Sequence, residues 1–109
     1  METQQHAAWR VVVVAGELDL ATAAELRAAV LRESDGGARS IAIDLNAVPF
    51  VDSSGLGTIV ACLKHLRELG GELVLVSLEG SAIRKLLGLT GLDGAVRQVA
   101  TAAELPASA

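Results

Sequence analysis

The chain has 109 residues, 51% hydrophobic and 20% charged, with a formal net charge of −4. That length holds one domain with one layered core, and the balance is that of a folded chain rather than a disordered one. An acidic chain with no Lys/Arg cluster and no aromatic platform lacks the basic face that phosphate neutralisation needs, so no direct nucleic-acid partner is expected.

In chain order, Val11-Val12-Val13-Val14 is a continuous β-branched run closed by Gly16, the pattern of a strand buried on both faces. Ala21 to Arg32 follows as a helix, with Ala24, Leu26 or Arg27, Ala28 and Leu31 at near-helical spacing. Asp19 or Thr22 is placed to cap it, and Gly36-Gly37 to end it. Ile41 to Leu45 is a second apolar strand with polar Asp44 near its end. Pro49-Phe50-Val51 then leads through Asp52-Ser53-Ser54 into a helix from about Ser53 to Leu69. Its apolar stripe is Leu56, Ile59, Val60, Leu63 and Leu66, while Lys64, Arg67 and Glu68 face water. Gly70-Gly71 stops it, Leu73 to Ser77 makes another short strand, and Ser81 to Leu87 a short helix broken by Gly88 and Gly91. Val96 to Val99 reads as an edge strand, Thr101 to Leu105 as a last helical turn or two, and the tail after Pro106 as frayed. Strands alternating with helices of ten or more residues predict one α/β domain, core about 11–105, with parallel neighbours in its sheet.

The stretch Asp52-Ser53-Ser54-Gly55-Leu56-Gly57 carries the most chemistry. An aspartate at the N-cap accepts hydrogen bonds from amides two or three residues on. Residues just inside a helix start sit beside amides that have no intrahelical acceptor, at the positive end of the dipole, a setting for an anion or a phosphorylated hydroxyl. Gly55 and Gly57 leave the first turn unhindered for the approach of another backbone, although each disfavours the helix by roughly 1 kcal/mol against alanine. The same residues also read as an ordinary helix start whose glycines serve tight packing against a strand, and both readings stand at this point. Gly16-Glu17-Leu18-Asp19 closes the first strong strand, which puts Asp19 at the carboxyl edge of a parallel sheet together with Asp52. Those acids either shape a recognition patch or belong to a solvated turn.

Other candidates are weaker. His65 reads as a surface residue beside Lys64, His6 as part of a mobile terminus, and Cys62 as a small core residue. A lone cysteine excludes an internal disulfide and fits a reducing compartment. The longest uninterrupted apolar stretch, Val11 to Ala15, is far short of a membrane span, and the opening ten residues lack the basic-then-apolar order of a signal peptide. A cytoplasmic protein with no membrane partner is expected. No nucleotide-binding loop, metal-ligand pattern or nucleophile elbow is present, so neither cofactor nor metal nor enzymatic activity is expected, and any phosphate must come from a partner.

Taken in order, Gly16-Glu17-Leu18-Asp19, the strand Ile41 to Leu45, and Phe50-Val51-Asp52-Ser53-Ser54-Gly55-Leu56-Gly57 resemble the STAS domain of bacterial anti-sigma-factor antagonists. Gly70-Gly71-Glu72-Leu73 and Leu86-Leu87-Gly88-Leu89-Thr90-Gly91-Leu92 continue the likeness, which covers roughly residues 11 to 105. The resemblance implies a mixed, mostly parallel sheet of four to five strands with helices mainly on one face. The fifth would be a short first strand around Thr3 to Ala8.

It also implies a partner switch in transcription regulation. The unphosphorylated antagonist binds an anti-sigma factor that is also a serine kinase and so frees a sigma factor. The kinase phosphorylates Ser53, with Ser54 the fallback acceptor, and the complex separates; a serine phosphatase restores it. Asp19, Asp52, Ser53, Ser54, Gly55, Leu56 and Gly57 are the partner-binding positions so implied. An alternative is a non-switching STAS subunit of a lipid-transport or stressosome-like complex, in which the same helix start is a contact without phosphorylation. A small hydrolase using Ser53 or Ser54 with His65 is excluded if they lie on one helix, because the twelve residues from Ser53 to His65, at 1.5 Å each, span about 18 Å.

Overall fold

The structure is a computed structural model that describes residues 1–107. Its elements are β1 (Glu2–His6), β2 (Trp9–Ala15), α1 (Leu20–Asp35), β3 (Ser40–Ala47), α2 (Ser53–Glu68), β4 (Glu72–Val76), α3 (Ala82–Thr90) and β5 (Arg97–Val99), followed by one 3₁₀ turn at Ala102–Glu104. The sheet order is β1-β2-β3-β4-β5. Only the β1–β2 pair is antiparallel; β2–β3, β3–β4 and β4–β5 are parallel.

The valine run explains the layering. Side chains alternate across a strand, so Val12 and Val14 join Ile41, Ile43, Leu73 and Leu75 on one face, while Val11 joins Ala42, Val74 and Val76 on the other. All three helices pack on the first face, through Leu26 and Val30 of α1, Ile59, Leu63 and Leu66 of α2, and Ile83 and Leu87 of α3. The second face is closed by Trp9 and by the C-terminal segment, where Leu105 is buried and the Trp9 indole Nε1–H donates to the Pro106 carbonyl at 2.9 Å. The α/β class, the mixed sheet and the one-sided helices therefore match expectation, with five strands.

Several local expectations change. The first strand is present as β1, tied to β2 through the Ala7-Ala8 turn, where Ala7 takes the left-handed φ of 51°. His6 is thus paired with Trp9 rather than part of a mobile terminus. Helix α1 is longer than 21–32, and its buried face is Ala23, Leu26, Ala29, Val30 and Ser34 rather than the 24/28/31 row. The cause is compositional: five alanines spread over that helix give several faces nearly equal hydrophobicity. The C-terminal piece is a single 3₁₀ turn, its start closed by the Glu104 carboxylate accepting from the Ala100 amide at 2.7 Å. The chain is anchored as far as Pro106, and of the tail after it, expected to fray, Ser108 and Ala109 lie outside the described residues.

Candidate functional site

Two loops meet at the carboxyl edge of the sheet. Gly16 turns the chain out of β2 with a φ of 81°, a conformation that favours glycine. Leu18 then forms a parallel bridge with Val51, its amide donating to the Phe50 carbonyl at 2.9 Å and its carbonyl accepting from the Asp52 amide at 3.2 Å. Asp19 and Asp52, each one residue beyond that bridge, head α1 and α2 side by side. The shared acidic edge expected from sequence is therefore present.

The two caps are built differently. The Asp19 carboxylate accepts from the amides of Ala21 and Thr22, both at 3.1 Å, while the Asp19 amide donates to the Thr22 hydroxyl at 2.9 Å, a reciprocal capping box. The Thr22 amide first, and its hydroxyl second, hold the Asp19 carboxyl below its ordinary pKa. At α2 the Asp52 carboxylate accepts a single amide, that of Gly55 at 2.9 Å. The amides of Ser53 and Ser54 have no acceptor among the described residues. Ser53 is exposed and Ser54 half-buried, so the Ser53 hydroxyl is open to a partner beside donors that suit an anion.

The two glycines separate into the two roles considered for them. A Cβ at Gly55 would lie 2.8 Å from both the Leu18 carbonyl oxygen and Leu18 Cγ, so Gly55 is a packing glycine and not an open one. At Gly57 nothing lies within 4 Å, and that position is exposed. Leu56 is half-buried against the core, which makes it a structural residue in part. Around Ser53 the surface also carries two features that the motif did not mark. Leu20 is 74% exposed and Phe50 51% exposed, large apolar side chains on the two loops that meet at the bridge. A groove of about 420 Å³ opens between α1 and α2, with Ser53 and Ser54 at one end and Arg27 farther along. An apolar residue at the first position of a capped helix was the available sequence signal for Leu20.

His65 is not a free surface residue. Its Nε2 lies 3.1 Å from the hydroxyl of buried Ser34, which itself donates to the Leu31 carbonyl at 3.0 Å, so His65 pins α2 to α1. It shares α2 with Ser53, far along the helix, and forms no pair with it. Cys62 is buried as expected, and burial pushes its thiol up to about 11 with Arg27 pulling weakly the other way. No cluster of three metal-ligating side chains occurs among the described residues, and none of their helices is long and apolar enough to cross a membrane.

A family profile described as the STAS domain matches residues 1–105. The chain belongs to the STAS domain family. The anti-sigma-B factor antagonist of Staphylococcus aureus (strain NCTC 8325) is 35% identical to this STAS domain over 92 residues, which is 84% of each chain. Among solved structures, a candidate anti-sigma factor antagonist from Thermotoga maritima superposes with a TM-score of 0.84 at 30% identity, covering 94% of this chain and 88% of that one. An anti-sigma factor antagonist from Mycobacterium paratuberculosis gives a TM-score of 0.80 at 33% identity, over 92% and 84% of the two chains.

Proposed function

We propose that this STAS domain is an anti-sigma factor antagonist whose contact surface centres on the start of α2 and whose binding is switched off by phosphorylation of Ser53. The single observation that carries the reading is the α2 start itself. An exposed hydroxyl stands beside amides that nothing among the described residues occupies, one residue after Asp52 and across the loop bridge from Asp19, with exposed Leu20 and Phe50 on the same two loops. The names of the relatives in Staphylococcus, Thermotoga and Mycobacterium support the antagonist role. The partner is then an anti-sigma factor with serine kinase activity. In the modifying step the Ser53 Oγ–phosphorus bond forms as ATP's terminal phosphoanhydride bond breaks; ADP leaves, and the hydroxyl proton passes to a base on the kinase. A phosphatase returns the serine by hydrolysis.

The physical effect is local. A phosphoserine brings about −1.5 to −2 charges at neutral pH, placed here next to the Asp19 and Asp52 carboxylates. Closing a partner over that charge demands its desolvation, whereas the helix below it stays formed. This makes the protein a binding module rather than an enzyme.

Intact mass with fragment mapping, after incubation with ATP and the purified kinase, tests the switch. One phosphoryl group on Ser53, absent from Ser53→Ala, is expected; Ser53→Ala binds constitutively and Ser53→Asp at least about tenfold more weakly. Equal affinities for the two variants, or no added mass with an active and bound kinase, would move the chain to the non-switching class of STAS subunits.

A further inference from the structure

The groove between α1 and α2 has a floor of small side chains, Ala24, Gly57, Thr58 and Ala61, with exposed Leu20 on its rim and Arg27 along its length. Its lining carries no acid, and Arg27 makes no ion pair or hydrogen bond among the described residues, which leaves a lone cation in the groove of a chain of net charge −4. No Asp or Glu stands three or four positions from Arg27 on α1 to neutralise it. The groove opens at Ser53 and Ser54, so whatever meets Ser53 has the groove beside it.

We infer that this groove receives an apolar segment of the kinase partner that carries one carboxylate for Arg27. This rests on the reading of the α2 start as the kinase contact. The charge decides the chemistry. A segment laid over Leu20 and the small-residue floor removes water from the guanidinium, and an unpaired buried charge is strongly unfavourable. A carboxylate opposite it restores the balance and adds a fork-shaped pair of charged hydrogen bonds. Rigid, shallow walls of alanine and glycine admit close approach without rearrangement. Arg27 stands about two helical turns beyond the start of α1, roughly 10 Å along its axis, so it serves the partner rather than a phosphate on Ser53. One end of the contact then senses phosphate while the other supplies steady affinity.

The test uses the full chain and the serine kinase of its own cells, identified by mass spectrometry and purified. Titration calorimetry gives the affinity of the unphosphorylated wild type, Arg27→Gln, Arg27→Glu and Gly57→Leu. Intact mass at saturating kinase follows phosphate on Ser53 in the same proteins. Melting curves confirm folding, since Arg27 holds nothing in place and the Gly57 Cβ position is open. Arg27→Glu is expected to weaken binding about tenfold or more and Arg27→Gln by less. Gly57→Leu should weaken it by filling the floor, with Ser53 still modified in every variant. Wild-type affinity in Arg27→Glu overturns the carboxylate pairing while leaving the Ser53 reading intact if phosphate still appears there. Absence of phosphate on wild-type Ser53 sinks the switch, and the affinity series still decides the groove. Concentration-dependent dimerisation of the chain alone, abolished in Gly57→Leu, would assign the groove to a second copy and overturn the proposal.

Discussion

The starts of α1 and α2 lie side by side, both headed by an aspartate, yet only the first is closed. At α1 the third helical residue is Thr22, whose hydroxyl takes the Asp19 amide and completes the box. At α2 the equivalent position is Gly55, which has no side chain to return, and the contact with Leu18 is what forbids one. The amide that Thr22 takes at α1 has its counterpart in the Asp52 amide, which donates to the Leu18 carbonyl instead, while the amides of Ser53 and Ser54 stay unused because the Asp52 carboxylate accepts from Gly55 alone. The bridge between the two loops therefore stands in for the return half of a capping box at α2.

The comparison breaks most readily at the glycine. Gly55→Ala places a methyl group against a backbone carbonyl that cannot turn aside, and a loss of about 1–3 kcal/mol is expected. For a domain of this size the melting midpoint falls by roughly 4–8 °C per kcal/mol. Gly57→Ala meets open space and should leave the midpoint unchanged or raise it, by no more than about 1 kcal/mol. Equal losses at the two positions would show that the Leu18 contact is not what distinguishes them. Next in size is Asp52→Ala, which removes the one side-chain cap of α2 and should reduce stability by about 1 kcal/mol, read in urea unfolding.

The smallest effect separates the two caps by acid. Because the Asp19 carboxyl is held below its ordinary pKa in the folded protein, its contribution is complete above the unfolded value. It is lost as pH falls through the folded one, below about pH 4. Melting midpoints of wild type and Asp19→Asn should therefore converge as the solution is acidified through that range. A constant gap between them down to the lowest pH would remove the titration from the account of α1.

The sequence showed the site's position better than its construction. The α2 stripe was legible because Ile59, Leu63 and Leu66 are large, and Asp52 marks a start that the structure confirms to the residue. The face of α1 was not, because alanine looks the same to a periodicity argument whether it is buried like Ala29 or exposed like Ala28. Strand β1 is polar throughout and only Thr3 is shielded at all, so it carries no hydrophobic signal and was legible only through the family likeness. Gly55 and Gly57 are indistinguishable in sequence, since what separates them is Leu18, brought up from another loop by the sheet. The pairing of His65 with Ser34 is hidden for the same reason: it joins two helices.

The indole of Trp9 and the carbonyl of Pro106 are 97 residues apart along the chain. During synthesis, therefore, the apolar face of β2 that carries Trp9 and Val11 leaves the ribosome well before Leu105 and Pro106, and it waits unshielded for the segment that closes it. The ribosome can deliver the helical layer in order, but the opposite layer closes only once the segment around Leu105 and Pro106 has been made. A cell producing this protein must keep that waiting face from other chains, and the interval of exposure is set by translation speed rather than by the domain's own stability.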